Sequence, residues 1–207
     1  GGVVQLALAL WLSPALLPFL LLVWAYLGLM TREFFVSSWL KAHPITYMWT
    51  HMLIIPLIDL YGTACNWRVA GAAAPNTLTF LLCVSFCNGF ALELGRKIRA
   101  PHDEEAGVET YSFLWGRKRA VIAWSGALLA TAISVILAAQ GIGFALSEAI
   151  LFFTLLLIAA VIAVCFLRRP LAGRGKWIEN FAGTWTLLVY LSLGVLPLIW
   201  QLVAKGV

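Results

Sequence analysis

The sequence predicts an all-α fold: a polytopic transmembrane helical bundle in which several helices cross a membrane. Of its 207 residues, 62% are hydrophobic and only 11% are charged. An average soluble domain is nearer half apolar and a quarter charged, so lipid must be the solvent for most of this chain. The apolar residues form runs too long and continuous for the strands of a membrane barrel, which leaves helices as the spanning elements.

Six full spans and one partial span are predicted, in a single transmembrane domain covering residues 1–207. The first apolar run reaches the Ser13-Pro14 break after about ten residues, and a crossing helix needs about twenty. We therefore expect this run to be the second half of a helix. Ser13 and Pro14 are typical N-cap and first-turn residues of the helix that follows. The predicted spans are 3–12 (partial), 14–30, 45–61, 77–94, 120–139, 144–166 and 184–203.

Basic residues are concentrated in every second loop. Loops 31–44, 95–119 and 167–183 carry two, six and four Lys or Arg residues, which is twelve of the fourteen in the chain. The positive-inside rule places these loops in the cytoplasm of an integral, multi-pass membrane protein. This distribution accounts for the net charge of +5, so we expect no nucleic-acid partner. The four cysteines form no CxxC pattern and predict neither a disulfide framework nor a zinc site.

The segment 93–116, ELGRKIRAPHDEEAGVETYSFLWG, is the conspicuous charged stretch of the chain and contains five of its nine acidic residues. Glu93 falls in the last turn of a predicted span, where a carboxylate is costly unless it is paired or coordinates a ligand. Lys97 lies four residues further on and is placed to pair with it on one helix face. A solvated cytoplasmic loop whose charges neutralise one another is the alternative interpretation.

Carboxylates beside Arg and Lys at a membrane interface suit the binding of a metal-bound phosphate. Mg²⁺ takes oxygen ligands from carboxylates and phosphates, and the basic side chains contact the remaining phosphate oxygens. A lipid-borne diphosphate would present its head group at this depth while its tail lay between the helices. The candidates are Glu93, Asp103 and Glu104 for the metal, Glu93 and Asp103 as catalytic residues, and Arg96, Lys97, Arg99 and Tyr111 for the diphosphate.

This segment resembles the second acidic motif of the UbiA superfamily of intramembrane prenyltransferases. In that motif, spaced aspartates lead into a Gly-Val-x-(Ser/Thr) sequence and a later glycine. Here residues 107–110, Gly-Val-Glu-Thr, and Gly116 match the tail, Asp103 and Glu104 match the downstream acids, and Glu93 stands in place of the first aspartate. Upstream, residues 26–35 resemble the end of a family helix, and residues 43–67 resemble a divergent bacterial prenyltransferase-like subgroup.

The resemblance implies nine helices around a central cavity and two acidic motifs that bind Mg²⁺ and a polyprenyl diphosphate. Ionisation of the diphosphate would give an allylic cation, which an acceptor captures. This chain begins about midway through what would be the third helix, so the first acidic motif, at the end of the second helix, lies outside it. We therefore expect prenyltransferase activity only when that region is also present.

Two other functions remain open at the level of sequence. The chain could be a non-catalytic membrane subunit that keeps a prenyltransferase-like fold and scaffolds a larger membrane complex or binds lipid or pigment. The absent first motif and the Glu93 replacement favour this alternative. A transporter is the third possibility, but Asp59, His51 and Glu93 are few ionisable groups for an ion path.

Overall fold

The computed structural model describes residues 1–204, and that part of the chain contains helices and turns but no strand. Eleven α-helices occur in this range, several joined by short 3₁₀ turns. Five helical segments are long and apolar enough to cross a membrane: Pro14–Thr31, Leu78–Arg96, Arg117–Gln140, Ala145–Arg168 and Gly175–Val203. The predicted all-α membrane bundle is therefore confirmed. The helices are α1 (Gly2–Leu12), α2 (Leu17–Thr31), α3 (Ser37–Ala42), α4 (Pro44–Met52), α5 (Ile54–Trp67), α6 (Leu78–Arg96), α7 (Tyr111–Trp115), α8 (Arg117–Gln140), α9 (Ala145–Arg168), α10 (Gly175–Tyr190) and α11 (Leu196–Ala204).

The predicted break after the first apolar run is present. Helix α1 ends at Leu12, and the Ser13 hydroxyl oxygen accepts a hydrogen bond from the backbone N–H of Ala15 at 3.3 Å. Pro14 then begins a 3₁₀ turn that leads directly into α2. The amides of the first helical turn have no hydrogen-bond partner within the helix. The serine oxygen accepts from one of them, and proline, which has no N–H, loses no helical hydrogen bond at this position.

The segment predicted as one span over 45–61 is instead two shorter helices, α4 and α5, separated at Leu53. Pro56 explains the break. It has no N–H to donate to the carbonyl of Met52 four residues earlier, and its ring crowds that carbonyl. Neither helix reaches the length of the five candidate spans, so the described residues contain five full-length apolar helices where the sequence predicts six.

The last predicted span, 184–203, is part of a longer helical segment that begins at Gly175. A π-helical turn over Leu191–Val195 joins α10 to α11. Pro197 lies two residues beyond this turn, and its ring would clash with the carbonyl of Leu193 in a regular α-helix. Widening the turn by one residue relieves such a clash, and π turns of this kind are frequent near functional sites.

Two compact units make up the chain, Gly1–Phe86 and Cys87–Val207. In the first unit, α2 packs along α5, around a small core formed by Ala9, Leu16, Leu20 and Ala64. In the second unit, α8 packs extensively along α9, and α10 packs against α9. Its core includes the fully buried side chains of Trp124, Phe152 and Trp185.

Within the second unit, two glycines allow close contact with α10. A Cβ atom on Gly95, near the end of α6, would lie only 2.6 Å from the Cβ of Ala182. A Cβ atom on Gly175, the first residue of α10, would lie 2.7 Å from the carbonyl oxygen of Ile98. The end of α6 and the start of α10 are therefore held side by side, and this packing creates the candidate site.

Candidate functional site

A charged cavity of about 360 Å³ lies in the second unit, where α6 ends and α10 begins. Backbone contact between Gly175 and the segment around Ile98 brings together two loops that are far apart in sequence. Three cations and four carboxylates share this space with a histidine. The residues lining the cavity are Arg96, Ile98, Arg99, His102, Asp103, Glu104, Glu105, Gly175, Lys176 and Glu179.

Asp103 fixes one wall of the cavity. Pro101 starts a single 3₁₀ turn that ends at Asp103, and the Asp103 Oδ2 atom accepts a hydrogen bond from the backbone N–H of Gly173 at 2.8 Å. Gly173 has φ of +78°, a left-handed conformation that glycine adopts without strain. Arg174 holds the same loop, since its Nη1 donates to the carbonyl oxygens of Cys165 (2.8 Å) and Arg169 (3.0 Å).

Glu104 is positioned by Thr110. The Thr110 hydroxyl donates to Glu104 Oε2 at 2.6 Å and accepts from the backbone N–H of Phe113 at 3.1 Å, which caps the start of α7. Thr110 is only 1% exposed, so this cap is shielded from water. The acidic loop is thereby attached to the short helix that follows it.

Arg99 is held at both its backbone and its side chain. Its N–H donates to the Ser112 hydroxyl at 2.8 Å, and its Nη1 lies 3.0 Å from Glu105 Oε1. The ion pair is largely solvent-accessible, so it contributes little to stability. Its effect is to keep the guanidinium at the cavity wall.

The structure brings together four of the seven predicted site residues, Arg96, Arg99, Asp103 and Glu104, in this cavity. The other three form a neighbouring cluster that does not line it. Glu93 Oε1 pairs with Lys97 Nζ at 2.7 Å, as their spacing of four residues predicts, and Lys97 Nζ lies 5.5 Å from the centre of the Tyr111 ring. The Tyr111 N–H also donates to the Lys97 carbonyl oxygen at 3.0 Å.

Four ionisable residues of the cavity were not among the predicted site residues: His102, Glu105, Lys176 and Glu179. The first two belong to the charged segment, and the sequence predicted only their neighbours. Lys176 and Glu179 lie some seventy residues further on, at the start of α10. The available signal was the sequence Gly-Arg-Gly-Lys at 173–176, where glycines beside basic residues precede a helix.

The charges of this cavity suit an anion together with a cation. Arg96, Arg99 and Lys176 can contact phosphate oxygens, and the amide groups at the start of α10 supply the positive end of a helix dipole. Asp103, Glu104, Glu105 and Glu179 provide carboxylate oxygens beside them. A bare anion would be repelled by these four carboxylates, whereas a divalent cation bound to phosphate would satisfy both sets of charges.

The donor chemistry fits Mg²⁺, which prefers oxygen ligands and is commonly held by one or two carboxylates plus substrate phosphates. Among residues 1–204, no group of three or more His, Cys, Asp or Glu side chains is arranged to hold a metal ion by itself. The protein oxygens would therefore supply part of a coordination sphere, with phosphate and water completing it.

Comparisons with protein-family models, with curated proteins and with solved structures give no match to this chain. The relationship to the UbiA superfamily is therefore a hypothesis based on the motif residues of segment 93–116.

Proposed function

We propose that the charged cavity binds the diphosphate of a polyprenyl diphosphate together with Mg²⁺, and that the chain is part of a UbiA-like membrane prenyltransferase. One observation supports this proposal most strongly. Two of the predicted phosphate contacts, Arg96 and Arg99, and two of the predicted metal ligands, Asp103 and Glu104, line one cavity at the end of a long apolar helix. The proposed substrate has the same two parts, a charged head and an apolar tail.

Each group of residues has a separate role in this proposal. Arg96, Arg99 and Lys176 contact the phosphate oxygens, with the amides of α10 as further donors. Asp103 and Glu104 hold the metal ion. When bound, Mg²⁺ supplies charge neutralisation that makes diphosphate a better leaving group. Glu93 and Tyr111 act indirectly, because they hold Lys97 beside the cavity.

The charged cavity belongs to the cytoplasmic face in this proposal. Its residues come from the loops 95–119 and 167–183 and the helix ends beside them, and with loop 31–44 these carry twelve of the fourteen Lys and Arg residues. Positive loops are retained in the cytoplasm during insertion. A water-soluble Mg²⁺ ion and a membrane-anchored diphosphate could both reach such a site. In a bacterium, this face would be that of the inner membrane.

The proposal is tested by the binding of farnesyl diphosphate to the purified chain in nanodiscs, with Mg²⁺ and with EDTA. We expect Asp103→Asn to weaken binding in Mg²⁺ by at least about ten-fold, a loss typical of a weakened metal site. Binding in EDTA should change little, because the lost charge acts through the metal. Glu109→Gln is the matched control, since it removes an exposed carboxylate of the same loop that does not line the cavity.

Asp103 also holds the backbone of Gly173, so a purely structural role must be separated from metal binding. Asparagine can still accept the Gly173 N–H bond through its Oδ1, so a purely structural role predicts little change in the unfolding temperature and in Mg²⁺-dependent binding for Asp103→Asn. Equal weakening under both conditions would contradict the proposed metal ligand, and unchanged binding in Mg²⁺ would contradict the site.

A second candidate function is favoured by the Glu93–Lys97 ion pair. Glu93, which stands in place of the family's first aspartate, already forms an ion pair with Lys97, with 2.7 Å between Oε1 and Nζ. A carboxylate that is already paired suits a non-catalytic membrane subunit that scaffolds a larger complex or binds lipid or pigment. Purification of the natural protein from its membrane in mild detergent distinguishes the two functions. Stable association with other membrane subunits, without prenyl transfer, would support the subunit. Transfer activity of the purified protein alone would exclude it.

A further inference from the structure

A second cavity, of about 450 Å³, lies in the same unit at the other end of the helical segment Gly175–Val203. It is formed by the first turns of α9 and by α11. Its walls are almost entirely apolar and include Leu151, Leu196, Ile199 and Trp200, with Ser147 and Glu148 as the polar residues. A volume between about 300 and 1,000 Å³ is typical of sites for small molecules.

Glu148 is the unusual feature of this cavity. Its side chain is only 3% exposed, and its Oε2 atom has no hydrogen-bond partner within residues 1–204. Ser192, in the π-helical turn, is a hydrogen-bonding neighbour of the same carboxyl group. A buried carboxyl oxygen without a donor is costly, and such groups in native proteins usually have a ligand, water or ion as partner.

The residues around Glu148 indicate which kind of molecule could bind to its carboxyl group. The Lys and Arg residues that the structure describes in this unit fall within 96–99, 117–119, 168–169 and 174–176, and none of them lines this cavity. Leu196, Ile199 and Trp200 are each more than half exposed on α11, which makes this wall open to an apolar molecule arriving from the bilayer. The cavity therefore offers one carboxyl group at the end of a hydrocarbon surface.

From this arrangement we infer that the cavity binds a lipophilic primary amine, with its ammonium group on Glu148 and its hydrocarbon chain along α9 and α11. An ammonium group supplies three N–H donors and a charge opposite to that of the carboxylate. An alcohol offers a single donor and no charge, and an anionic lipid would be repelled. This site is independent of the charged cavity and does not rest on the proposed function.

The inference is tested with a dodecylamine probe that carries a photoreactive diazirine on its alkyl chain. The purified wild-type chain in a neutral detergent is labelled, and the modified peptides are identified by mass spectrometry. We expect saturable labelling within 144–151 and 196–203, displaced by dodecylamine but not by dodecanol. Glu148→Gln should reduce this labelling by at least about ten-fold, since truncating one partner of a buried charge pair costs at least that much.

Two further variants keep this test decisive. Glu109→Gln removes an exposed carboxylate elsewhere and should leave labelling unchanged, which excludes a general effect of charge. Leu151→Trp keeps the carboxyl group but fills the cavity and should also reduce labelling; its folding is checked by gel filtration. If Glu148→Gln does not fold, the inference is tested by the displacement of the probe from the wild type by dodecylamine or dodecanol, and by the labelling of Leu151→Trp. Equal displacement by dodecanol and dodecylamine, labelling outside these segments, or undiminished labelling of folded Glu148→Gln would overturn the inference.

Discussion

At the scale of single residues, the charged cavity depends on polar groups that are held in place by hydrogen bonds or ion pairs. Asp103 holds Gly173 and lines the cavity, Arg99 bonds to both Ser112 and Glu105, and Thr110 bonds to Glu104 while capping α7. Such residues fix the acidic loop in one conformation before any ligand arrives. Preorganisation of this kind raises affinity because less ordering is needed on binding.

Thr110→Val tests this preorganisation. Valine keeps the shape of threonine but removes both hydrogen bonds, so we expect the free energy of unfolding to fall by about 1–2 kcal/mol, as for other lost N-caps. Chemical denaturation of the purified chain measures the change. Thr110→Ser keeps the hydroxyl, so its free energy of unfolding should fall much less than that of Thr110→Val. Equal stability of the valine variant and the wild type would show that the Glu104–Thr110 contact is not formed in solution.

Sequence reasoning found four residues of the cavity, all within one short segment. Arg96, Arg99, Asp103 and Glu104 were predicted from mixed charges after an apolar helix. Lys176 was missed because its place in the cavity depends on how α10 packs against residues 98–100, which no local pattern encodes. The separation of Glu93 from the cavity was missed for a related reason. The spacing of Glu93 and Lys97 predicted their pairing but not which way the pair faces.

At the scale of helices, prolines determined where the predicted spans and the structure differ. Hydrophobicity predicted a continuous span over 45–61, but Pro56 divides it into α4 and α5. Pro197 similarly coincides with the π-helical turn before α11. The composition of an apolar segment predicts that it lies in lipid. Whether the segment forms one unbroken helix depends on whether each backbone carbonyl finds an N–H donor.

Two helical glycines are predicted to respond in opposite ways to substitution by alanine, because only one of them lies where two helices touch. Gly95→Ala should destabilise the protein by about 1–3 kcal/mol, because the new methyl group overpacks against Ala182. Gly126→Ala, in α8, meets no atom within 4 Å and should raise helix stability by up to about 1 kcal/mol. Unfolding midpoints of both variants in one detergent make the comparison. A Gly95→Ala variant as stable as the wild type would contradict the close packing of these helices.

At the scale of the whole molecule, exposed apolar surface is the dominant feature. Along α9, Leu146, Phe153 and Val161 are each more than 60% exposed, which suits contact with lipid tails. Composition alone predicted this class of protein, since no soluble fold could cover so much apolar surface. Charge then concentrates at the cavity formed by the loops after α6 and before α10, and the Glu148 cavity lies at the other end of the last helical segment.

We propose that the second unit spans the membrane with its charged cavity on the cytoplasmic face, and the sidedness of its loops tests this orientation most directly. The measurement is the labelling of single cysteines in intact cells with a maleimide that cannot cross the membrane. In a background without the four native cysteines, Ala106→Cys and Ala172→Cys report on the two basic loops, and Ile142→Cys reports on the turn between α8 and α9. We predict labelling of Ile142→Cys in intact cells, and of Ala106→Cys and Ala172→Cys only after the cells are permeabilised. Labelling of all three positions in intact cells, or of the two loop cysteines alone, would contradict it.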